Sequence, residues 1–246
     1  MFSFFQKKHF LVDYLEGFVD IHNHILPGID DGAKTTDDSL ALIKGFGEFG
    51  ITDFVCTPHI MHNYYENTLE TIKDSFITLK KEMAEKGITD VSIDFAAEHM
   101  IDDNFEEILK KKQVLPLRNY HLLIEMSFLQ APINFHRAVK KITSAGYYPI
   151  LAHPERYAFL YGNFQKYEAF KRESIFFQVN LLSLAGYYGG NVKNMAIKLL
   201  DKGMIDFLGS DVHHKDQLKF LKDSTISHRI LKKIQPVIAN TIDNFF

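Results

Sequence analysis

Apolar positions along the chain follow two alternating rhythms. Short runs rich in β-branched and aromatic residues read as strands at Phe18–Ile21, Thr52–Thr57, Val91–Ala96, His121–Glu125, Tyr148–Ala152, Ile175–Val179 and Ile205–Leu208. Between them the spacing changes to three and four. Leu69, Ile72, Phe76, Leu79 and Met83 predict a helix with one apolar face, with Asn67 and Glu70 as its capping box and Gly87 as its stop. Val192, Met195, Ala196, Leu199 and Leu200 predict another, which Gly203 ends before the seventh strand. Strands and helices that alternate in this way predict βα units feeding a parallel sheet, here an α/β barrel one strand short of the common eight.

Length and composition narrow the possibilities further. A chain of 246 residues suits one barrel domain over 1–246, with residues 1–17 as an N-terminal extension before the first strand. There is no fixed-period repeat, low-complexity tract or Pro/Gly/Ser-rich linker. No apolar run approaches the ~18 residues of a membrane span, and Met1 to Phe10 carries no cleavage pattern. Phe2, Phe4 and Phe5 beside Lys7 and Lys8 read as a terminal segment that folds back on the barrel, in preference to a membrane contact. A net charge of −3 without a basic cluster argues against a nucleic-acid partner. The single cysteine, Cys56, excludes an internal disulfide and a thiolate metal cluster, and it suits a reducing cytoplasm.

Candidate chemistry concentrates where the predicted strands end. The first strand runs into His22-Asn23-His24 and then Asp30-Asp31-Gly32; the second ends in Thr57-Pro58-His59 and the third in Glu98. Glu125 closes the fourth, His153-Pro154-Glu155-Arg156 follows the fifth, and Ser210-Asp211-Val212-His213 follows the seventh. In a parallel barrel these ends converge on one face, the one where βα loops build active sites. Residues two apart on an extended segment point to the same side, so His22 with His24, and Asp211 with His213, can share a cation.

Nine candidate ligands, His22, His24, Asp31, His59, Glu98, Glu125, His153, Asp211 and His213, exceed the roughly four to six that one transition metal takes. At least two ions are therefore expected. Imidazole and carboxylate without sulfur suit Mn²⁺, Fe²⁺ or Zn²⁺. Paired ions hold a hydroxide at neutral pH and neutralise phosphoryl oxygens, so the set predicts phosphate-ester hydrolysis. Arg156 offers a fork of donors for phosphate oxygens. A thiol mechanism would need arginine six residues after Cys56, but position 62 is His62.

Blander readings exist for each residue. Asp31 can be turn chemistry, Glu98 a helix cap, His59 and His153 core histidines, and Arg156 a surface partner of Glu155 or Glu168. Glu125 resists such a reading, because a carboxylate that ends an apolar strand is costly unless paired or metal-bound. His9, His62, His99, His121, His136, His214 and His228 read as ordinary surface or helix residues, with His62 and His99 close to ligands. Tyr64, Tyr65, Tyr157, Tyr187 and Tyr188 are placed to line a pocket rim.

Taken together, these strings resemble the polymerase and histidinol phosphatase (PHP) superfamily, and more narrowly the CpsB-like bacterial protein-tyrosine phosphatases of capsule and exopolysaccharide biosynthesis. The match runs from about Phe18 to His213 with motifs in family order. The resemblance implies a distorted (β/α)7 TIM-like barrel, the PHP fold. It also implies two to three divalent ions, commonly Mn²⁺, and removal of phosphate from tyrosines of an autophosphorylating bacterial kinase. It places His22, His24, Glu98 and Asp211 on one ion, Glu98, Glu125 and His153 on a second, and Asp31, His59 and His213 on a third. Arg156, Asp31 and His213 become the residues expected to act at the substrate. After His213 the chain reads His214-Lys215-Asp216-Gln217, without the arginine some relatives place there; Lys215 would be a point charge in its stead. Competing functions are a small-molecule phosphatase such as one for histidinol phosphate, a nuclease, and a scaffold without turnover. An amidohydrolase would place lysine where this chain has Glu125.

Overall fold

The computed structural model describes residues 8–246; Phe2, Phe4 and Phe5 lie outside them. The strands are β1 (Lys8–Phe10), β2 (Val19–Asp20), β3 (Asp53–Cys56), β4 (His59–Ile60), β5 (Ser92–Phe95), β6 (Glu98–Met100), β7 (His121–Glu125), β8 (Tyr148–Ala152), β9 (Phe176–Asn180), β10 (Phe207–Gly209) and β11 (Thr225–Ser227). The longer helices are α1 (Thr36–Gly47), α2 (Leu69–Glu85), α3 (Phe105–Lys110), α4 (Phe135–Ser144), α5 (Gln165–Arg172), α6 (Leu181–Ala185), α7 (Gly190–Asp201), α8 (Lys215–Asp223) and α9 (His228–Phe245).

Two parallel sheets make up a curled half-barrel. One has the order β10-β9-β8-β7-β6-β4 and the other the order β2-β3-β5. The runs expected at 52–57 and 91–96 hold β3 and β5, and each is followed, beyond its expected end, by a short second strand in the other sheet. The first strands, β3 and β5, pair with each other from Asp53–Ser92 to Cys56–Phe95. After Thr57-Pro58 and Ala96-Ala97, the second strands, β4 and β6, pair His59 with Glu98 in the larger sheet. Pro58 has no N–H to give a ladder, which is one reason the run cannot continue unbroken. The first and last strand exits are stitched together by the Asn23–Val212 bridge, in which the His24 amide donates to the Val212 carbonyl at 3.0 Å and the Asp211 amide to the His22 carbonyl at 2.7 Å.

Apolar side chains fill the space on both sides of this sheet. Val19, Ile21, Val55, Ala96, Leu123, Ile150, Ala152 and Phe207 form an inner cluster that Phe245, from the end of α9, completes. Arg118 ties the Phe245 carbonyl down from the loop before β7. The larger cluster lies between the sheet and the helices and takes in Ile72, Leu79 and Met83 of α2 and Met195, Ala196, Leu199 and Leu200 of α7, as the helical spacing predicts. The cap of α2 differs from expectation: Thr68 and Thr71 form the box, while Asn67 donates instead to the Ile29 and His59 carbonyls. Residues of the N-terminal extension also belong to this core, since β1 pairs antiparallel with β11 and Leu11 and Leu15 are fully buried.

Candidate metal centre and active site

The predicted ligands reach one face from the strands and the loops that follow them. His22 and His24 leave β2 side by side, and the Asp30-Asp31-Gly32 loop folds back beneath them. Gly32 is needed there, because a Cβ at that position would stand 2.2 Å from the His24 carbonyl oxygen. Asp30 accepts a hydrogen bond from His24 Nδ1 at 2.8 Å, which turns His24 Nε2 inward. His59 opens β4, Glu98 opens β6, and Glu125 ends β7. His153 and Asp211 follow β8 and β10 with φ of 35° and 55°. Left-handed backbone is unfavourable for both residue types and is the kind of strain that concentrates at functional sites.

These side chains meet around Glu98. Its Oε2 lies 3.3 Å from His22 Nε2, 3.7 Å from His24 Nε2 and 3.1 Å from His59 Nδ1, and its Oε1 lies 3.0 Å from His153 Nε2. Glu125 Oε1 is 3.0 Å from His59 Nδ1. Asp211 Oδ1 is 3.5 Å from both His22 Nε2 and His24 Nε2, and Asp31 Oδ1 is 3.5 Å from both His59 Nε2 and His213 Nε2. Four groups have donor atoms mutually within 4.8 Å: His24/Asp31/His59/His213, His22/His24/Asp211, His22/Glu98/His153 and His59/Glu98/Glu125. All nine predicted ligands are among them. The grouping differs in detail from the implied one, because His24 also joins the Asp31 group, and Glu125 and His153 fall in separate groups with Glu98.

The donor set fits divalent cations. His22 Nε2, His24 Nε2, His59 Nδ1, Glu98 Oε2, Glu125 Oε1 and His153 Nδ1 are buried without a hydrogen-bond partner among the described residues. So many unpaired polar atoms at one place would be costly in a core built for packing, and a cation satisfies them together. The local electrostatics agree. Burial opposes ionisation of Glu98, yet the imidazoles of His22 and His59 hold its carboxyl well below the usual range. Asp211 is likewise held low against burial, by His22, His24, His213 and Arg156. Burial disfavours the charged form of His24, but Asp30 outweighs it and lifts that histidine to about 10. Burial and the neighbouring His24 push His213 down.

Arg156 does not pair with Glu155 or Glu168. Its Nη1 donates to Asp211 Oδ2 at 2.8 Å, and its guanidinium lies 4.6 Å from the Phe128 ring centre and 4.2 Å from that of Tyr188. Beside His213 a cleft of about 370 Å³ opens, bordered by Lys34, Asp38 and Lys215. Lys215 stands 3.9 Å from Asp38. Among the five tyrosines assigned to a rim, Tyr157 is wholly buried and its hydroxyl oxygen accepts from the Met126 amide N–H at 2.9 Å, whereas Tyr64 is exposed. His99 and His121 are not surface residues; both are buried. Cys56 is buried as well, and burial pushes its thiol up, away from nucleophilic use.

Several participants are absent from the sequence-based set. Asp30 orients His24. Asp20 accepts from the Ser210 amide at 2.8 Å and from its hydroxyl at 2.6 Å, which fixes the turn before Asp211; burial nevertheless raises Asp20 to about 6. Gln178 and Asn180 contact His22 and Asp211 from β9. The available signal was two polar residues spaced by two at the end of an apolar strand, as at His22 and His24.

A curled parallel sheet that gathers nine imidazole and carboxylate side chains at its C-terminal edge defines an α/β protein with a candidate multi-metal hydrolytic centre. The model of the family "Capsular polysaccharide synthesis, CpsB/CapC" matches residues 18–239, and the chain belongs to that family. It is 29% identical over 227 residues to the putative tyrosine-protein phosphatase CapC of Staphylococcus aureus, covering 92% of this chain and 89% of that protein. Tyrosine-protein phosphatase YwqE of Bacillus subtilis (strain 168) is 29% identical over 197 residues, 80% of this chain and 77% of the other. The fold matches a chain from the solved structures of YwqE and of CpsB from Streptococcus pneumoniae, described as unique metal-dependent tyrosine phosphatases. The TM-score is 0.82 at 26% identity, over 92% of this chain and 93% of that one.

Proposed function

We propose that this protein is a metal-dependent protein-tyrosine phosphatase of capsule or exopolysaccharide synthesis. The observation that carries the reading is the convergence of nine ligand-type side chains, with their unpaired buried atoms, in a chain whose family relatives are named tyrosine-protein phosphatases. His22, His24, Asp31, His59, Glu98, Glu125, His153, Asp211 and His213 would hold two to three divalent ions, with Mn²⁺ as the proposed metal. When bound, such ions supply a water that is ionised at neutral pH and offset charge on the phosphoryl oxygens. The two sheets together are read as one distorted barrel of seven βα units, counting each interrupted strand once, over a single domain.

The chain's own groups supply binding and orientation. Arg156 presents its second guanidinium edge to phosphoryl oxygens while Asp211 and two aromatic faces hold its plane. His213 donates Nδ1–H to the Asp211 carbonyl at 3.0 Å, so that its Nε2 faces Asp31 at the open side. Asp31, half exposed, is the ligand best placed to meet solvent and substrate. A phenolate of pKa ~10 leaves without much proton assistance, which favours aryl phosphates over serine esters. The proposed substrate is a phosphotyrosine protein, an autophosphorylating bacterial kinase, met in the cytoplasm where a lone thiol stays reduced.

The test is turnover after metal removal and reloading with Mn²⁺, on phosphotyrosine peptide, phosphoserine peptide and histidinol phosphate. Phosphotyrosine hydrolysis that returns only with metal is expected. A preference for histidinol phosphate would replace this reading with that of a small-molecule phosphatase.

A further inference from the structure

Behind two of the proposed ligands runs a buried chain of side-chain hydrogen bonds whose direction has only one solution. Gln178 and Asn180 are alternate residues of β9, both fully buried. His22 Nδ1 lies 2.7 Å from Gln178 Oε1, Gln178 Nε2 lies 3.0 Å from Asn180 Oδ1, and Asn180 Nδ2 lies 2.6 Å from Asp211 Oδ2. The Asn180 backbone N–H donates in turn to Glu155 Oε1 at 3.0 Å.

An ionised carboxylate can only accept, so Asn180 must turn its NH₂ toward Asp211. Its carbonyl oxygen then faces Gln178, which must donate there, and the Gln178 carbonyl is left facing His22. His22 can satisfy that oxygen only with a proton on Nδ1. In the neutral ring the lone pair is therefore on Nε2, the atom that has no hydrogen-bond partner and faces Glu98 Oε2 and Asp211 Oδ1. The relay also divides the work of Asp211: Oδ2 takes Asn180 and Arg156, and Oδ1 points to the imidazoles. Gly209 of β10 sets the clearance, since a Cβ there would lie 2.7 Å from His22 Cβ and 2.9 Å from Gln178 Nε2.

We propose that Gln178 and Asn180 are positioning residues that transmit the charge of Asp211 to the tautomer of His22, and so prepare both side chains as ligands of the same cation. This rests on the reading of His22 and Asp211 as ligands, but the tautomer is measurable apart from it. Partners that orient a metal-binding histidine typically contribute 10–100-fold to affinity.

The experiment compares wild type, Gln178→Met and Gln178→Glu by ¹⁵N-histidine NMR, in metal-free protein at pH 9 and after loading with diamagnetic Zn²⁺, alongside Mn²⁺ titration by calorimetry. Wild-type His22 is expected to keep its proton on Nδ1. Gln178→Met should lose that preference and bind Mn²⁺ about 10–100-fold more weakly. Gln178→Glu, which keeps an acceptor for His22, should restore the tautomer. An unchanged His22 tautomer in Gln178→Met overturns the relay. A wild-type protein that shows the tautomer and takes up no metal instead sinks the ligand reading and leaves the relay standing. Should Gln178→Met fail to fold, Asn180→Leu decides the same question, with loss of the tautomer expected and its retention fatal.

Discussion

At the scale of single residues, environment overrides chemical type. His99, within β6, and His153, just past β8, both lie beside Glu98, yet only His153 turns toward the cluster. His99 Nδ1 donates to the Leu123 carbonyl and its Nε2 accepts from the Leu115 amide, each at 3.1 Å. Protonating Nε2 would set two N–H groups against each other, and burial first of all lowers this histidine from 6.5 to about 4. The unfolded chain then takes up the proton before the folded one, so stability falls as pH drops from about 6.5 to about 4, by about 3 kcal/mol in total. His99→Gln, which keeps a donor and an acceptor, should flatten that part of the stability–pH curve. Denaturation midpoints that fall equally steeply in both proteins would refute the assignment. Arg156 shows the reverse case, a side chain held ready: Arg156→Ala should lower kcat/KM on phosphotyrosine peptide about 100-fold. Arg156→Lys should recover little, because an ammonium has neither the planar stack between Phe128 and Tyr188 nor the second edge. Wild-type rates in Arg156→Lys would show that point charge is enough.

At the scale of elements, periodicity located α2 and α7 because their buried faces repeat at helical spacing, but it misplaced the cap of α2. Two candidate capping pairs overlapped there, and the choice went to Thr68–Thr71 because Asn67 is engaged by the carbonyls of Ile29 and His59. Thr68→Ala should therefore cost about 1 kcal/mol, and Glu70→Ala close to nothing, in urea unfolding. Pro58 marks the end of β3 in the sequence, but that His59-Ile60 and Glu98-His99-Met100 form further strands in the other sheet was not legible locally, since those residues carry no apolar run and the change of sheet depends on the neighbouring strand. The last helix carries a similar lesson. Phe245 is buried against Phe207 at 5.0 Å between ring centres, while Phe246 is exposed. Phe245→Ala should destabilise by about 3–5 kcal/mol and Phe246→Ala by less than about 0.5. Equal effects would mean that α9 does not close the inner core.

At the scale of the whole molecule, metal held by the cluster would be coupled to the fold. Carboxylates from β6, β7 and the exit of β10 meet imidazoles from β4 and the exits of β2, β8 and β10, so a bound cation would tie together segments from His22 to His213. A ligand that binds only the folded chain adds about 2.7 kcal/mol at a hundredfold excess over Kd. Mn²⁺ should accordingly raise the melting temperature and chelation should lower it, with Glu98→Gln losing most of the shift because Glu98 belongs to two of the groups and lies near a third. Identical melting with and without metal would refute the coupling.

The sequence by itself determined the βα alternation, the strand exits and the set of candidate ligands, because strand periodicity and residue chemistry are local properties that each segment carries. Only the tertiary structure decided which carboxylate faces which imidazole, that His99 packs inward, that Arg156 rests on Asp211, and that Gln178 and Asn180 stand behind the cluster. Those outcomes depend on contacts between segments far apart in the chain, and on buried polar atoms that must find partners once water is excluded.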